Sequence, residues 1–382
     1  MSLVLVEVKD RPTLLKFIKF PFNLYKNCPS YVPPLISFEL SSLTAKNPVF
    51  EISQVKLLLA LEKGVIVGRI AGIILDAEKE DKNLVRFGWI DFIDDKKVST
   101  ALIQGIIDWA KSFGITGIHG PLGFTDFDFE GTLIDGFDEL ATQATIYNFP
   151  YYASHFESLG FSKACDWLEG RGVVPKELPK RMMRGASLIK TRFKLEAKKI
   201  KSKSQLKPYS KAIFQTLNSS FTNLYGFYPL NDKQIEYYVD AYLGFVRKEF
   251  VTIIVNEKDD VVACAITLPS LSKALQKAKG KLYPFGFIHL LQAFQKNETL
   301  DMLLIGVNPE YQKLGASQLI FVELLSNFIE NKVRMVNTAI MLEDNHNVIN
   351  LWNDRRVDDK LRNVAAQRLK LHDGGGGSGS ER

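Results

Sequence analysis

Residues 305–325, IGVNPEYQKLGASQLIFVELL, carry a run of β-forming residues into apolar residues at helical spacing. Gln312, Lys313, Leu314, Gly315, Ala316 and Ser317 stand at the junction. Such a junction suits an anion. A helix N-terminus presents N–H groups without intrahelical partners and a partial positive charge, which together hold a phosphate. Glycine at position 315 removes a side chain where backbone must approach that anion closely. The same glycine also suits a plain strand-to-helix turn, so the loop taken alone leaves both readings open.

Carboxylates gather elsewhere. The loop GPLGFTDFDFEGTLIDGFDE, residues 120–139, holds Asp126, Asp128, Glu130, Asp135, Asp138 and Glu139. It reads either as a lid that attracts a cationic group or as a solvated loop pinned by Phe124, Phe127, Phe129 and Phe137. Four of the five histidines, His119, His155, His289 and His346, are scattered, and each reads more readily as structural than as catalytic. Cys28, Cys165 and Cys264 lie far apart without metal-ligand or redox spacing, as ordinary thiols of a reducing compartment do.

The elements that must position these residues repeat. In the first half Leu3–Val8 reads as strand and Arg11–Tyr25 as helix. Val55–Glu62 and Val65–Leu75 form a hairpin about Lys63-Gly64, and Val85–Phe92 is a strand. Ser99–Phe113 is an amphipathic helix stopped by Gly114. Gly117–His119 and Ala144–Tyr147 read as strands, and Tyr151–Leu159 as a helix. The second half repeats the order: helices at Phe214–Phe221 and Asp232–Tyr242, then strands at Phe250–Asn256 and Val261–Leu268. A strand at Asp301–Val307, a helix at Gly315–Ile329 and a strand at Met335–Leu342 complete it. This αββ…βαβ order predicts an α/β fold, a mixed sheet with helices on its faces, in two units.

Length and composition agree. A chain of 382 residues with 46% apolar and 24% charged residues suits two globular domains. Its net charge of +6 is concentrated: residues 176–207 carry twelve Lys/Arg and two Glu, a net +10. That segment is either a solvated amphipathic helix or a surface for a phosphate-rich ligand. The first seventeen residues, MSLVLVEVKDRPTLLKF, meet charges too early for a secretory signal, and no run approaches ~20 apolar residues. A cytoplasmic protein without membrane contact is expected. Residues 353–373 are highly charged and fit no expected strand, and GGGGSGSER is a flexible linker by composition.

Gln312-x-x-Gly315 at a strand-to-helix junction resembles the pyrophosphate loop of GNAT acyltransferases. Asn345, with Asn347 second, matches an Asn that these enzymes use against the pantetheine arm; capping of a following helix is the other reading. YNFPYYASHFESLGFSKACDWLEGR, residues 147–171, resembles the closing segment of a GNAT domain. With FIKFPFNLYKNCPSYVPPL, the loop at 120–139 and LPSLSKALQKAKGKLYPFGF, the whole of residues 1–352 is similar to a bacterial group of tandem GNAT proteins. The resemblance implies a GNAT-like domain at 1–178, a basic connection at 179–206, a second GNAT domain at 207–352 and an atypical tail at 353–382. In the first domain the counterpart of the phosphate loop, residues 93–98, has no glycine and carries Asp94 and Asp95 where a phosphate would go, so only the second is expected to bind CoA.

The chemistry implied by the resemblance is that of an N-acyltransferase. Such an enzyme moves an acetyl or other acyl group from acyl-CoA to an amine, on a small molecule or a peptide. Ile305, Val307, Gln312–Ser317, Asn345 and Asn347 are then the expected cofactor contacts. Asp301, the one carboxylate of its strand, is the candidate base, with Asn345 beside it. Trp352 stands where such enzymes commonly place a Tyr general acid. The alternatives are an aminoacyl-tRNA-dependent transferase, with RNA on 176–207, and a non-catalytic acyl-CoA-binding protein. The acceptor and the oligomeric state are not written in the sequence.

Overall fold

The computed structural model describes residues 3–200, 202–243, 246–296, 298–345 and 357–371. The first half contributes strands β1 (Val4–Glu7), β2 (Ser53–Glu62), β3 (Val65–Leu75), β4 (Leu84–Phe92), β5 (Gly117–Gly120), β6 (Thr132–Asp135) and β7 (Ser162–Val173). The second contributes β8 (Glu196–Ala197), β9 (Val251–Val255), β10 (Val261–Pro269), β11 (Thr299–Val307), β12 (Met335–Asn337), β13 (Met341–Leu342) and β14 (Val357–Lys370). They form one sheet, ordered β1-β2-β3-β4-β5-β14-β7-β12-β11-β10-β9-β8.

Helix Lys96–Lys111 buries Val98, Leu102, Ile103, Ile106 and Ile107 on the first half of the sheet, an apolar stripe at helical spacing. Arg11–Leu24 covers the opposite face with Leu14, Phe17 and Ile18. The second half repeats the layers: Ala316–Glu330 and Lys180–Phe193 on one face, Ser210–Phe221 and Asp232–Leu243 on the other. The hairpin turn at Lys63 (φ 50°) and Gly64 (φ 80°) has positive φ at both positions, as a two-residue turn between twisted strands requires.

Four expectations are corrected. The charged stretch after residue 353 is not outside the fold: β14 lies between β5 and β7, antiparallel to both. Val364, Ala365, Ala366 and Gln367 are buried there, and backbone pairing on both edges outweighs a composition poor in β-formers. The halves therefore do not divide cleanly at 178 or 207. β14 completes the first half, while β7 of the first half pairs with β12 and β13 of the second. Ala144–Tyr147 is loop rather than strand, because the Asn148 side chain takes up both backbone groups of Leu133, at 2.7 and 3.1 Å. Finally, Met335–Leu342 is interrupted between β12 and β13. Asn347 and Trp352 fall outside the described residues.

Candidate functional site

β11 and β12 run parallel over Thr299–Asp301 and Met335–Asn337 and then part. Where they part, β11 carries one extra residue, since Met302 faces Thr267 and Leu304 faces Ile266, leaving Leu303 without a partner opposite. β4 has the same irregularity. Trp89 and Ile90 stand opposite Ile70 alone, and Trp89 has φ 43°, a conformation costly for a bulky side chain. Both bulges open onto one cavity of about 590 Å3 between the two halves. Met302–Ile305, Thr338–Leu342 and Asn345 wall it from the second half; Trp89, Trp167 and Asp126–Glu130 wall it from the first. Such a volume holds a sizeable organic ligand.

The polar end of this cavity is acidic. Glu130 is buried and Asp126 and Asp128 are half-buried in its wall. Burial raises all three carboxyls. Asp128 is pushed up to about 7 although the Phe124 and Thr125 N–H groups donate to it. Asp126 is raised to about 6 by burial, and Glu130 is raised by burial and further by its neighbour's charge. Arg86 opposes that rise. Its guanidinium is buried against Glu78 (Nε–Oε2 2.6 Å), donates to the Gly123 carbonyl at the root of the acidic loop, and reaches the Gly226 carbonyl of the second half. Glu39, also in the wall, accepts from the Trp89 indole N–H at 2.9 Å.

Beyond the cavity, β11 leads into the loop at 308–315. Gly315 is the residue before helix Ala316–Glu330 and adopts φ 86°, open to glycine without strain. No side chain caps that helix, so its first N–H groups keep their capacity for an anion. Gln312 is turned back, its amide donating to the Val307 carbonyl at 3.0 Å, which fixes the loop. Lys313 is exposed and Ser317 half-exposed. The corresponding first-half helix, Lys96–Lys111, begins at Asp95, whose carboxylate accepts the Lys97 N–H at 2.8 Å. An anion of the chain itself occupies that helix end.

The other sequence candidates are dispersed over the fold. Ile305 and Asn345 are in the cavity wall, and Val307 is buried at the end of its strand. Asp301 lies at the parting point of β11 and β12, beside the cavity rather than in its wall. Asn337 donates to it at 2.6 Å, Ser270 also bonds it, and burial pushes its carboxyl up to about 7. His155 bridges Ser99 (2.8 Å) and Asp94 (3.0 Å), but Ser99 is buried in the core and unreachable, so this trio braces the start of a helix. In the basic segment Lys190, Lys194 and Lys198 pair with Glu323, Glu257 and Asp259. Lys198 and Lys199 also line a separate, open groove of about 950 Å3 beside Tyr209, away from the parted strands. Sequence reasoning singled out the acidic loop but missed Glu39 and Trp89, which carry no local signal.

No protein-family model matches the chain. Protein YghO of Escherichia coli (strain K12) is 29% identical over 356 residues, covering 90% of this chain and 89% of that protein. A bacterial ceramide synthase of Caulobacter vibrioides is 26% identical over 322 residues, 81% of this chain and 82% of its own. Among solved structures, a tandem GNAT protein from the clavulanic acid biosynthesis pathway superposes with a TM-score of 0.57 at 13% identity, over 98% of this chain and all of that one. A GNAT protein from Sphaerobacter thermophilus gives 0.52 at 10% identity, over 97% of this chain and 96% of its own.

Proposed function

The chain has a tandem GNAT fold, and we propose that it is an N-acyltransferase moving an acyl group from acyl-CoA to an amine that carries a long apolar tail. The cavity carries this reading, because one chamber is lined mostly by apolar side chains, holds the carboxyls of Glu39, Asp126, Asp128 and Glu130, and is walled by the parted strands of the second half. Acyl-CoA enters as co-substrate. Its pyrophosphate sits on the N–H groups at Gly315–Ser317, and its thioester arm lies between β11 and β12, past Ile305 and Asn345. The name of the Caulobacter relative suggests the same class of acceptor.

In the reaction the amine nitrogen attacks the thioester carbonyl carbon. A C–N bond forms, the C–S bond breaks, and the proton that the nitrogen loses on acylation passes through water to the departing CoA thiolate. Asp126 and Glu130 draw the ammonium form in, accept its proton and release the neutral amine that attacks. Backbone freed by the bulge at Leu303 polarises the carbonyl. Asp301 braces the parting strands through Asn337.

Calorimetric titration with a long-chain acyl-CoA, beside a Ser317→Glu variant, tests the donor site; amide formation from a long-chain amine tests the reaction. Micromolar donor binding lost in the variant, with turnover in the wild type, is expected. Donor binding without turnover on any amine would favour a non-catalytic acyl-CoA-binding protein instead.

A further inference from the structure

We infer that the hairpin of helices at residues 271–296 docks the protein onto the surface of an anionic lipid bilayer. Helix Gly286–Lys296 stands between the cavity and solvent. Leu290, 4% exposed, and Leu282 before the helix line the cavity. The outer side also exposes large apolar side chains. Tyr283 is 79% exposed, Phe285 69% and Leu291 53%, with Phe287 and Ile288 close to 40%. Gln292 and Gln295 are exposed on the same helix, and beside them five large apolar side chains within nine residues form the kind of patch that marks an interaction surface.

Charge names the partner. Residues 261–297 contain no Asp or Glu and five lysines: Lys273, Lys277, Lys279, Lys281 and Lys296. The first four are exposed, and none of those four is paired with a carboxylate among the described residues. Lysines running directly into exposed Tyr and Phe are the composition of an interfacial anchor. Aromatic rings settle at headgroup level, and each lysine near an anionic surface adds attraction. A protein partner would require acids to match; a bilayer supplies anions and an apolar layer together.

The patch is also held rigidly. The Gly280 carbonyl accepts the Ile36 N–H at 3.0 Å, and a Cβ at Gly280 would come within 2.3 Å of the Phe22 ring, so the turn is clamped to the first half. None of the described helices is long and apolar enough to cross a membrane. The contact is therefore peripheral, and it revises the expectation of no membrane contact, which rested on the absence of a spanning run. Docking this helix places the cavity wall at the bilayer surface, so a substrate with an apolar tail need not cross water. Binding to the bilayer does not depend on the proposed reaction, and its test reads binding alone.

The test is flotation of the full chain with vesicles of phosphatidylethanolamine and phosphatidylglycerol, beside vesicles of phosphatidylcholine. The wild type should float with the anionic vesicles and be released by high salt. A Phe285→Ser/Ile288→Ser/Leu291→Ser variant should stay at the bottom with an unchanged melting temperature, since all three side chains are exposed. Lys277→Glu/Lys281→Glu should lose the preference for anionic vesicles. Wild-type protein left in solution with anionic vesicles would overturn the inference. So would a wild-type dimer in sedimentation that the triple serine variant dissociates, because a second copy would then cover the patch.

Discussion

Trp89 and Leu303 occupy equivalent places in the two halves: each stands at the bulge of its central strand, and both line the same cavity. The two halves are joined by the pairing of β7 with β12 and β13, and each turns its bulged strand to the shared cavity. On the proposed function the second half supplies the donor site. The first half, its helix end closed by Asp95, supplies the acceptor pocket.

The acidic wall sets a pH dependence. Asp128 titrates near 7 and Asp126 is raised to about 6, so the wall loses negative charge as pH falls through that range. Turnover should fall about tenfold per unit below pH 6 and level off above pH 8, read as kcat/KM against pH. A flat profile from pH 5 to 8 would exclude the pair Asp126 and Glu130 as base.

Removing the paired carboxylates separates two candidate bases. Asp126→Asn/Glu130→Gln should lower kcat by about 10²–10⁴-fold, the usual worth of a positioned base. Asp301→Asn should change kcat by less than about tenfold. The reverse ranking would restore Asp301 as the base.

Asp301 has a stability signature of its own. Its carboxyl is raised from the ordinary 3.8 to about 7 by burial, so the folded state binds a proton that the unfolded chain has lost. The stability from this group is complete below pH 4 and is lost as pH rises towards 7. Asp301→Asn, which can still accept from Asn337, should therefore raise stability at pH 8 by about 1–3 kcal/mol and have little effect at pH 4. Urea titration at both pH values reads the difference.

Ser317→Glu places a carboxylate on the first turn of its helix, where it favours the helix and opposes a phosphate. Acyl-CoA affinity should drop at least about tenfold, with a melting temperature equal to or above that of the wild type. Unchanged affinity by calorimetry would move the donor site elsewhere.

The strand exchange predicts a global effect of a local change near the C-terminus. Val364 is 1% exposed within β14, between β5 and β7. Val364→Asp buries an unpaired charge and should cost about 3–5 kcal/mol, melting the first half too. Proteolysis confined to the second half would contradict the pairing.

The sequence by itself determined many of the elements in both halves, but not β6, β14 or the helix at Gly286–Lys296. Apolar residues at helical spacing in 98–110 and 316–328, and the Lys63-Gly64 turn, act through contacts close along the chain. The loop at Gln312–Ser317 was legible for the same reason, since a helix end needs only its own first turn. Tertiary structure alone decided the rest. β14 is a strand because two neighbours satisfy its backbone, which no property of residues 357–370 announces. Glu39, Trp89, Asp126 and Glu130 share a cavity with Ile305 and Asn345 because β4 and β11 both bulge and part towards one chamber. Burial in that chamber, rather than residue type, gives its carboxylates their raised affinity for protons.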